Sequence, residues 1–111
     1  MAVRTLGKHF KYNYVNGKVI EVHTIVAPED NQHGVVIRSL DMGNVDTIFV
    51  YGATKPKERR DTSCVRFPSD GVKYSEYFVP AGNGVFMQAA DSYSTWMGIS
   101  WDFLDAGGAV A

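Results

Sequence analysis

The segment from Pro28 to His33, PEDNQH, places two carboxylates, an amide and an imidazole within six residues. Oxygen and imidazole ligands of this kind can hold a divalent cation. No ligand repeats at a fixed spacing, and a proline-led run of polar residues is typical of a solvated loop. The sequence therefore favours a loop without a metal, and we expect neither a metal nor a cofactor.

Cys64 is the only cysteine and the only candidate thiol nucleophile. It lies in the strand-like run TSCVRFP, whereas a reactive thiol needs an accessible, positively charged pocket or a helix N-terminus to lower its pKa. Arg66 and the neighbouring Arg59 and Arg60 could supply charge. A buried, inert cysteine remains the simpler interpretation.

Other catalytic patterns are weak. Asp91, Asp102 and Asp105 could include a glycosidase pair, although scattered surface acids are the usual explanation. The serines form no Gly-x-Ser-x-Gly elbow. The sequence thus predicts no catalytic residue and a protein that is not an enzyme.

The glycines in VPAGNGVF could cradle a phosphate only if a helix began directly after them. A β-rich run follows instead, and the Lys-Ser/Thr of a P-loop and the third glycine of a dinucleotide loop are both missing. Glycines that permit positive φ at a strand connection explain the motif better. We predict structural turns at Gly82-Asn83-Gly84 and at Asn16-Gly17, where both residues suit a type I′ turn.

The most charged segment is TKPKERRD, Thr54 to Asp61. Its basic residues could contact nucleic acid or an acidic protein surface; they are Lys55, Lys57, Arg59 and Arg60. No aromatic stacking platform alternates with them, which favours a solvated loop or a protein contact over nucleic acid. Eleven basic residues against twelve acidic ones likewise indicate neither a nucleic acid nor an anionic membrane as partner.

Aromatic residues are abundant for a small domain, at 13% of the chain. Strand alternation must send some of these rings outward, and exposed Tyr or Trp residues mark protein interfaces or sugar-binding platforms. We predict that three aromatic residues, Tyr77, Tyr93 and Trp96, form a protein interface together with the basic residues of the charged loop.

The elements that position these residues are strands, because apolar residues recur at alternate positions. About eight strands at short intervals predict an all-β, single-domain antiparallel β-sandwich, jelly-roll-like, over residues 1–104. We expect residues 105–111 to form a flexible or docking tail. Two hairpins are predicted, one pairing FKYNYV with KVIEVHTIVA and one pairing GVVIRSLDM with VDTIFVYGA.

The chain contains the two segments APEDNQHGVVIRSLDM and VPAGNGVFMQAADSYSTWMGISWDFL. They resemble the small β-sandwich modules of phage and prophage virions, namely capsid decoration or cement proteins and tail-fibre or collar domains. In those modules a loop ending in Asn-x-x-Gly leads into a Val/Ile-Ile-Arg strand, and a Pro-Ala-Gly-x-Gly turn precedes the last two strands. The resemblance spans Ala27 to Leu104. The matching residues are Gly34, Val36, Ile37 and Arg38 in the strand and Pro80, Ala81, Gly82 and Gly84 in the turn.

The resemblance implies a jelly-roll-like fold, a homo-oligomer such as a trimer, and a non-enzymatic role on a virion made in the host cytoplasm. The expected partner is a capsid or tail protein, without nucleic acid or membrane. A free-standing chain of 111 residues without a coiled or fibrous segment favours capsid decoration over a fibre. The alternative is a small carbohydrate- or ligand-binding β-sandwich that uses outward Trp or Tyr rings.

The strand pattern predicts a far-UV circular dichroism spectrum dominated by β-structure, because helical spacing is not sustained anywhere in the chain. A spectrum of the purified protein at neutral pH measures this directly. A helix content of about a third or more, the average of globular proteins, would contradict the fold prediction.

Overall fold

The computed structural model describes residues 7–15, 22–41, 48–57, 61–67, 76–88 and 95–111. It is all-β, as predicted, and the described residues include a short 3₁₀ helix at Pro28–Asp30. The strands are β1 His9–Val15, β2 Val22–Val26, β3 Val35–Asp41, β4 Ile48–Gly52, β5 Val65–Arg66, β6 Tyr77–Val79, β7 Gly84–Gln88 and β8 Thr95–Phe103. None of the helical structure in these ranges has the length and hydropathy that crossing a bilayer requires.

The strands in the described part of the chain form two four-stranded antiparallel sheets. The first sheet has the order β1-β8-β3-β6, and the second sheet has the order β2-β7-β4-β5. Four of the pairs, β1 with β8, β2 with β7, β3 with β6 and β4 with β5, are those of one long antiparallel ribbon. Rolling this ribbon joins β3 to β8 and β4 to β7, which is the topology of a jelly roll.

Both predicted hairpins are wrong in their pairing. β1 pairs with β8 rather than β2, and β3 pairs with β8 and β6 rather than β4. A tight-turn dipeptide signals only that the chain reverses, and in a rolled ribbon most connections cross from one sheet to the other. Among the described strands, only β4 and β5 are both consecutive and paired. The turns themselves, Asn16-Gly17 and Gly43-Asn44, lie outside the described residues.

The core lies between the two sheets and follows from strand alternation. In β8, Met97, Ile99 and Trp101 face inward and are buried. Other strands and loops add the rest of this core: Val26, Val35, Ile37, Leu40, Phe49, Phe67, Val79, Val85 and Met87. The intervening residues of β8 therefore face outward from the first sheet.

The second sheet is covered on its outer side as well. Ile48, Val50 and Phe86 form a smaller buried cluster there, with the partly buried Val22 and Cys64 packed against it. Because β4 and β7 pack on both faces, each carries a nearly continuous run of buried residues instead of alternating. The outward side of the first sheet is the more exposed of the two.

Asn31 joins two loops at one end of the sandwich. Its side chain, in a residue only 2% exposed, accepts a hydrogen bond from Gly34 N (2.8 Å) and donates to Pro80 O and Asn83 O (both 2.9 Å). Gly82 N donates to the backbone oxygen of Asn31 at 2.8 Å. The Asn-x-x-Gly spacing thus lets one amide fix the start of β3 and the turn before β7.

The glycines of that turn have different roles. Gly82 has a φ of +85°, and a Cβ there would have no atom within 4 Å, so only its backbone conformation favours glycine. Gly84 is the first residue of β7, where a Cβ would lie 2.7 Å from the Phe86 ring and 2.8 Å from Pro28 Cδ. Close packing, rather than positive φ, therefore excludes a side chain at Gly84.

Residues 105–111 fold back along β8. Asp105 Oδ1 accepts hydrogen bonds from Gly107 N and Ala109 N, and Ala111 N donates to Phe103 O at 2.9 Å. Lys8 Nζ donates to the backbone oxygen of Ala111 at 2.8 Å. This segment is exposed, with defined backbone contacts to its own sheet.

Replacing Asn31 by Ala removes three side-chain hydrogen bonds and leaves buried backbone groups without them. We expect a loss of about 2–4 kcal/mol of unfolding free energy and a fall in Tm of roughly 10–20 °C. Asn83→Ala is the matched control, because the Asn83 amide bonds only within its own exposed turn, and it should cost less than about 1 kcal/mol. Differential scanning calorimetry of both variants decides the matter; equal melting temperatures would show that Asn31 does not join the loops.

Candidate functional site

The outward side of the first sheet carries exposed aromatic rings. Phe10 and Tyr12 of β1 are 76% and 61% exposed, and Phe78 of β6 is 56% exposed. In the strand register Phe78 lies opposite Val36, and Phe10 lies opposite Ser100. We call this surface, made by Phe10, Tyr12, Val36 and Phe78, the aromatic face.

A shallow depression of about 280 Å³ lies in the aromatic face. It is lined in part by Phe10, Tyr12, Ser39, Gly98 and Ser100. Gly98 lies directly opposite Tyr12 on the neighbouring strand and has no side chain, which leaves the floor open beside the ring. The depression can accept an apolar or ring-shaped group against Phe10 and Tyr12.

A buried ion pair lies between the aromatic rings. Asp102 is 3% exposed, and its carboxylate accepts hydrogen bonds from Arg38 Nε (2.9 Å) and Lys8 N (2.8 Å). Arg38 also contacts Glu76 at 2.6 Å. The network ties β3, β8 and the segment before β1 together across the surface of the sheet.

The charges of this network are stabilised by one another. Burial alone would raise the pKa of Asp102, but hydrogen bonds from Lys8 N–H and the Arg38 guanidinium outweigh it, and the pKa is lowered. The hydrogen bond to Asp102 is the main cause of the raised pKa of Arg38. Asp102 therefore stays ionised near neutral pH as a positioning group rather than a proton donor.

Two hydroxyl groups complete the surface. Ser39 Oγ and Ser100 Oγ lie 2.6 Å apart and share a hydrogen bond, and Gly7 N donates to Ser100 Oγ at 3.4 Å. These groups bond within the protein, so the apolar rings dominate what the face offers to a partner. A surface of this kind can bury aromatic area against another molecule.

The predicted basic loop is described only in part. Lys55 and Lys57 are exposed, whereas Arg59 and Arg60 lie outside the described residues. Lys57 N donates to Asp61 Oδ2 (3.1 Å), and Ser63 donates to Asp61 Oδ1 through both its hydroxyl and its amide. The Ser63 hydroxyl and amide, followed by the Lys57 amide, lower the pKa of Asp61 to about 2. The carboxylate thus organises the loop, and the lysine side chains stay available on its surface.

The three predicted aromatic interface residues differ in their placement. Tyr77 faces inward and is half-buried, with its ring 5.5 Å from that of Phe67 in the core. Trp96 lies in β8, where only its backbone is described, and Tyr93 lies outside the described residues. The aromatic face is instead made by rings that sequence reasoning did not single out as a site.

A signal for those rings did exist in the sequence. Alternation in FKYNYV placed Phe10 and Tyr12 on one side of a strand. The missing information was which side faces the core, and that is set by pairing with β8, where Phe10 and Tyr12 share their side with Ser100 and Gly98.

The other candidate groups do not converge on a catalytic or metal site. The Asn31 side chain is engaged in structural hydrogen bonds, and His33 is exposed in the same loop. Over the described ranges, no cluster of three His, Cys, Asp or Glu side chains could hold a metal ion. Burial raises the pKa of Cys64, which keeps this half-buried thiol protonated and weakly nucleophilic near neutral pH.

Comparison of the chain with protein-family models, with curated proteins and with solved structures gives no match.

The lowered pKa of Asp61 can be tested by titration. Its hydrogen bonds to Ser63 and Lys57 should be complete above the ordinary value of 3.8 and should be lost as the pH falls through about 2. Carbon-detected NMR of the carboxyl group, with the amide shifts of residues 57 and 63, measures the midpoint. Ser63→Ala should raise that midpoint, because the hydroxyl makes the largest contribution. A parent midpoint near 4 would contradict the geometry of this loop.

Proposed function

We propose that this protein is a non-enzymatic structural protein of a phage-like virion, a capsid decoration or cement protein that docks through the aromatic face and its exposed loops. The observation that carries the proposal is the exposure of Phe10, Tyr12 and Phe78 on the outward side of one sheet. Exposed aromatic side chains favour an interaction surface, because aromatic residues are enriched at protein interfaces.

The virion is proposed from two supports together. The first is the resemblance of the segments around Asn31-x-x-Gly34 and Pro80-Ala-Gly-x-Gly84 to phage virion modules. The second is the jelly-roll strand order, which viral capsid proteins use, as do lectins and cupins. Fold alone does not decide among these classes. The resemblance is what favours the virion.

The charge distribution fits docking on a protein surface. The ionised groups of the aromatic face are paired, since Arg38 contacts both Asp102 and Glu76. A partner can therefore cover the rings without leaving a buried charge unpaired, which is the costly outcome at an interface. Lys55 and Lys57 are exposed in a separate loop, where they can guide association by charge.

A carbohydrate-binding module is the second candidate. The depression beside Tyr12, with the Ser39 and Ser100 hydroxyls in its lining, has the aromatic platform and polar rim that a sugar ring requires. Docking on a protein fits better, because Phe10 and Phe78 present rings without any polar group and the two hydroxyls already bond to each other.

The gene neighbourhood and one binding experiment test the proposal. If a capsid protein is encoded nearby, the two proteins are produced together and the particles are sedimented. We expect this protein to sediment with the particles and Phe78→Ser to reduce its occupancy at least about tenfold, as for a central aromatic contact. Val65→Ser is the matched control, because Val65 is 52% exposed on the second sheet and its replacement should change little.

Two outcomes would overturn the proposal. Parent protein that stays in the supernatant beside intact particles would contradict docking. Selective binding to a glycan array, lost in Tyr12→Ala, would establish the carbohydrate-binding alternative instead.

A further inference from the structure

The four sheet edges of the sandwich are not equally protected. In the described residues, β5 has only two residues, and β6 has three and is followed by Pro80. β2 has a register shift between Thr24 and Val26. Short strands, prolines and bulges are the devices by which proteins prevent edge-to-edge association.

β1 has none of these three features; Lys11 is its one formally charged residue, and a lysine on an edge strand is a further device of this kind. β1 pairs with β8 over seven consecutive positions, from His9 opposite Trp101 to Val15 opposite Thr95, without a register shift or a proline. None of the described strands pairs with its other edge. Its outward residues Phe10 and Tyr12 are among the most exposed large apolar side chains of the chain. A long, regular edge strand with exposed aromatic residues is suited to accept another strand.

We propose that the partner of this edge is a second copy of the chain, paired antiparallel through β1 about a two-fold axis at Tyr12. The dimer adds to the proposed function, because an oligomer with several docking faces favours decoration of a particle. The inference rests on the proposed function only for this role of the oligomer. The paired copies form one continuous eight-stranded sheet with both aromatic faces on the same side.

The sequence of β1, HFKYNYV, is complementary to itself in this register. With Tyr12 on the axis, Phe10 takes the position opposite Tyr14 of the second copy, and Lys11 takes the position opposite Asn13. Aromatic pairs directly across two strands are stabilising. An axis at Lys11 would place two lysines opposite each other, which is destabilising. Charge therefore disfavours the axis at Lys11. The axis at Tyr12 is favoured by its aromatic pairs, because it places Phe10 opposite Tyr14 and Tyr12 opposite itself.

The area available predicts a weak, concentration-dependent dimer. Phe10 and Tyr12 are 76% and 61% exposed, and a covered aromatic side chain buries roughly 150–250 Å². The rings of two copies thus offer roughly 400–700 Å², about a quarter to two fifths of the area of a standard specific interface. Backbone pairing over the seven residues must supply the remainder, and we expect a dissociation constant in the micromolar range.

Analytical ultracentrifugation of the purified protein over a range of concentrations tests the dimer. Tyr12→Lys places like charges on the axis and should weaken the dimer at least about tenfold. Phe78→Lys is the matched control: it also replaces an exposed aromatic residue of the same face by lysine, but at the other edge of the sheet, and it should leave the dimer unchanged. Circular dichroism checks that each variant keeps the parent's β-structure.

Crosslinking tests the register independently of any loss of folding. In a Cys64→Ser background, Tyr12→Cys should be joined into a covalent dimer by a short bismaleimide, because residue 12 faces itself across the axis. Val65→Cys, also exposed on an edge strand, should not be joined.

Several results would overturn the inference: a parent that is monomeric at every concentration, a trimer, equal loss of the dimer in Phe78→Lys, or equal crosslinking at residues 12 and 65. A trimer would contradict the dimer because an isologous pair closes at two copies. These outcomes are separate from those of particle binding. A dimer that does not bind the particle contradicts only the proposed function. A monomer that binds the particle contradicts only the inferred dimer.

Discussion

The structure depends above all on the position of β8 between β1 and β3. Because its side chains alternate, one strand builds both the core and the surface: Met97, Ile99 and Trp101 close the interior, while Ser100 and Asp102 form the floor of the outward side. Pairing with β1 and β3 then determines which of their residues face outward. A shift of the register of β8 by one residue would exchange core and surface together.

The outward side of the first sheet carries a network of paired charges made by Arg38, Asp102 and Glu76. Asp102 is buried, yet it remains ionised because Arg38 and the amide of Lys8 compensate for the loss of water. Buried ion pairs of this kind contribute little net stability, but they fix geometry, and removal of one partner leaves an uncompensated charge. The rings of Phe10 and Phe78 lie on either side of this network, whose charges are paired within the protein.

The topology of the rolled ribbon explains where reasoning from local sequence fails. His9 pairs with Trp101 near the far end of the chain, and β1 and β2 separate into different sheets although a turn dipeptide links them. Pairing over such distances requires the loss of much chain entropy before any contact forms, so jelly rolls fold slowly compared with proteins of local topology. Turn residues reveal that the chain reverses direction, but they carry no information about the neighbour that it meets.

The sequence by itself determined the all-β class, the approximate number of strands and the polar character of the loops around Asn31 and Lys57. These features follow from side-chain alternation and turn chemistry, which are local properties of the chain. Only the tertiary structure decided that Tyr77 faces the core while Tyr12 and Phe78 face outward. It also decided that the Asn31 side chain joins two loops by hydrogen bonds. Alternation defines two sides of a strand without naming the inner one, because that choice is made by the strands and sheets packed against it.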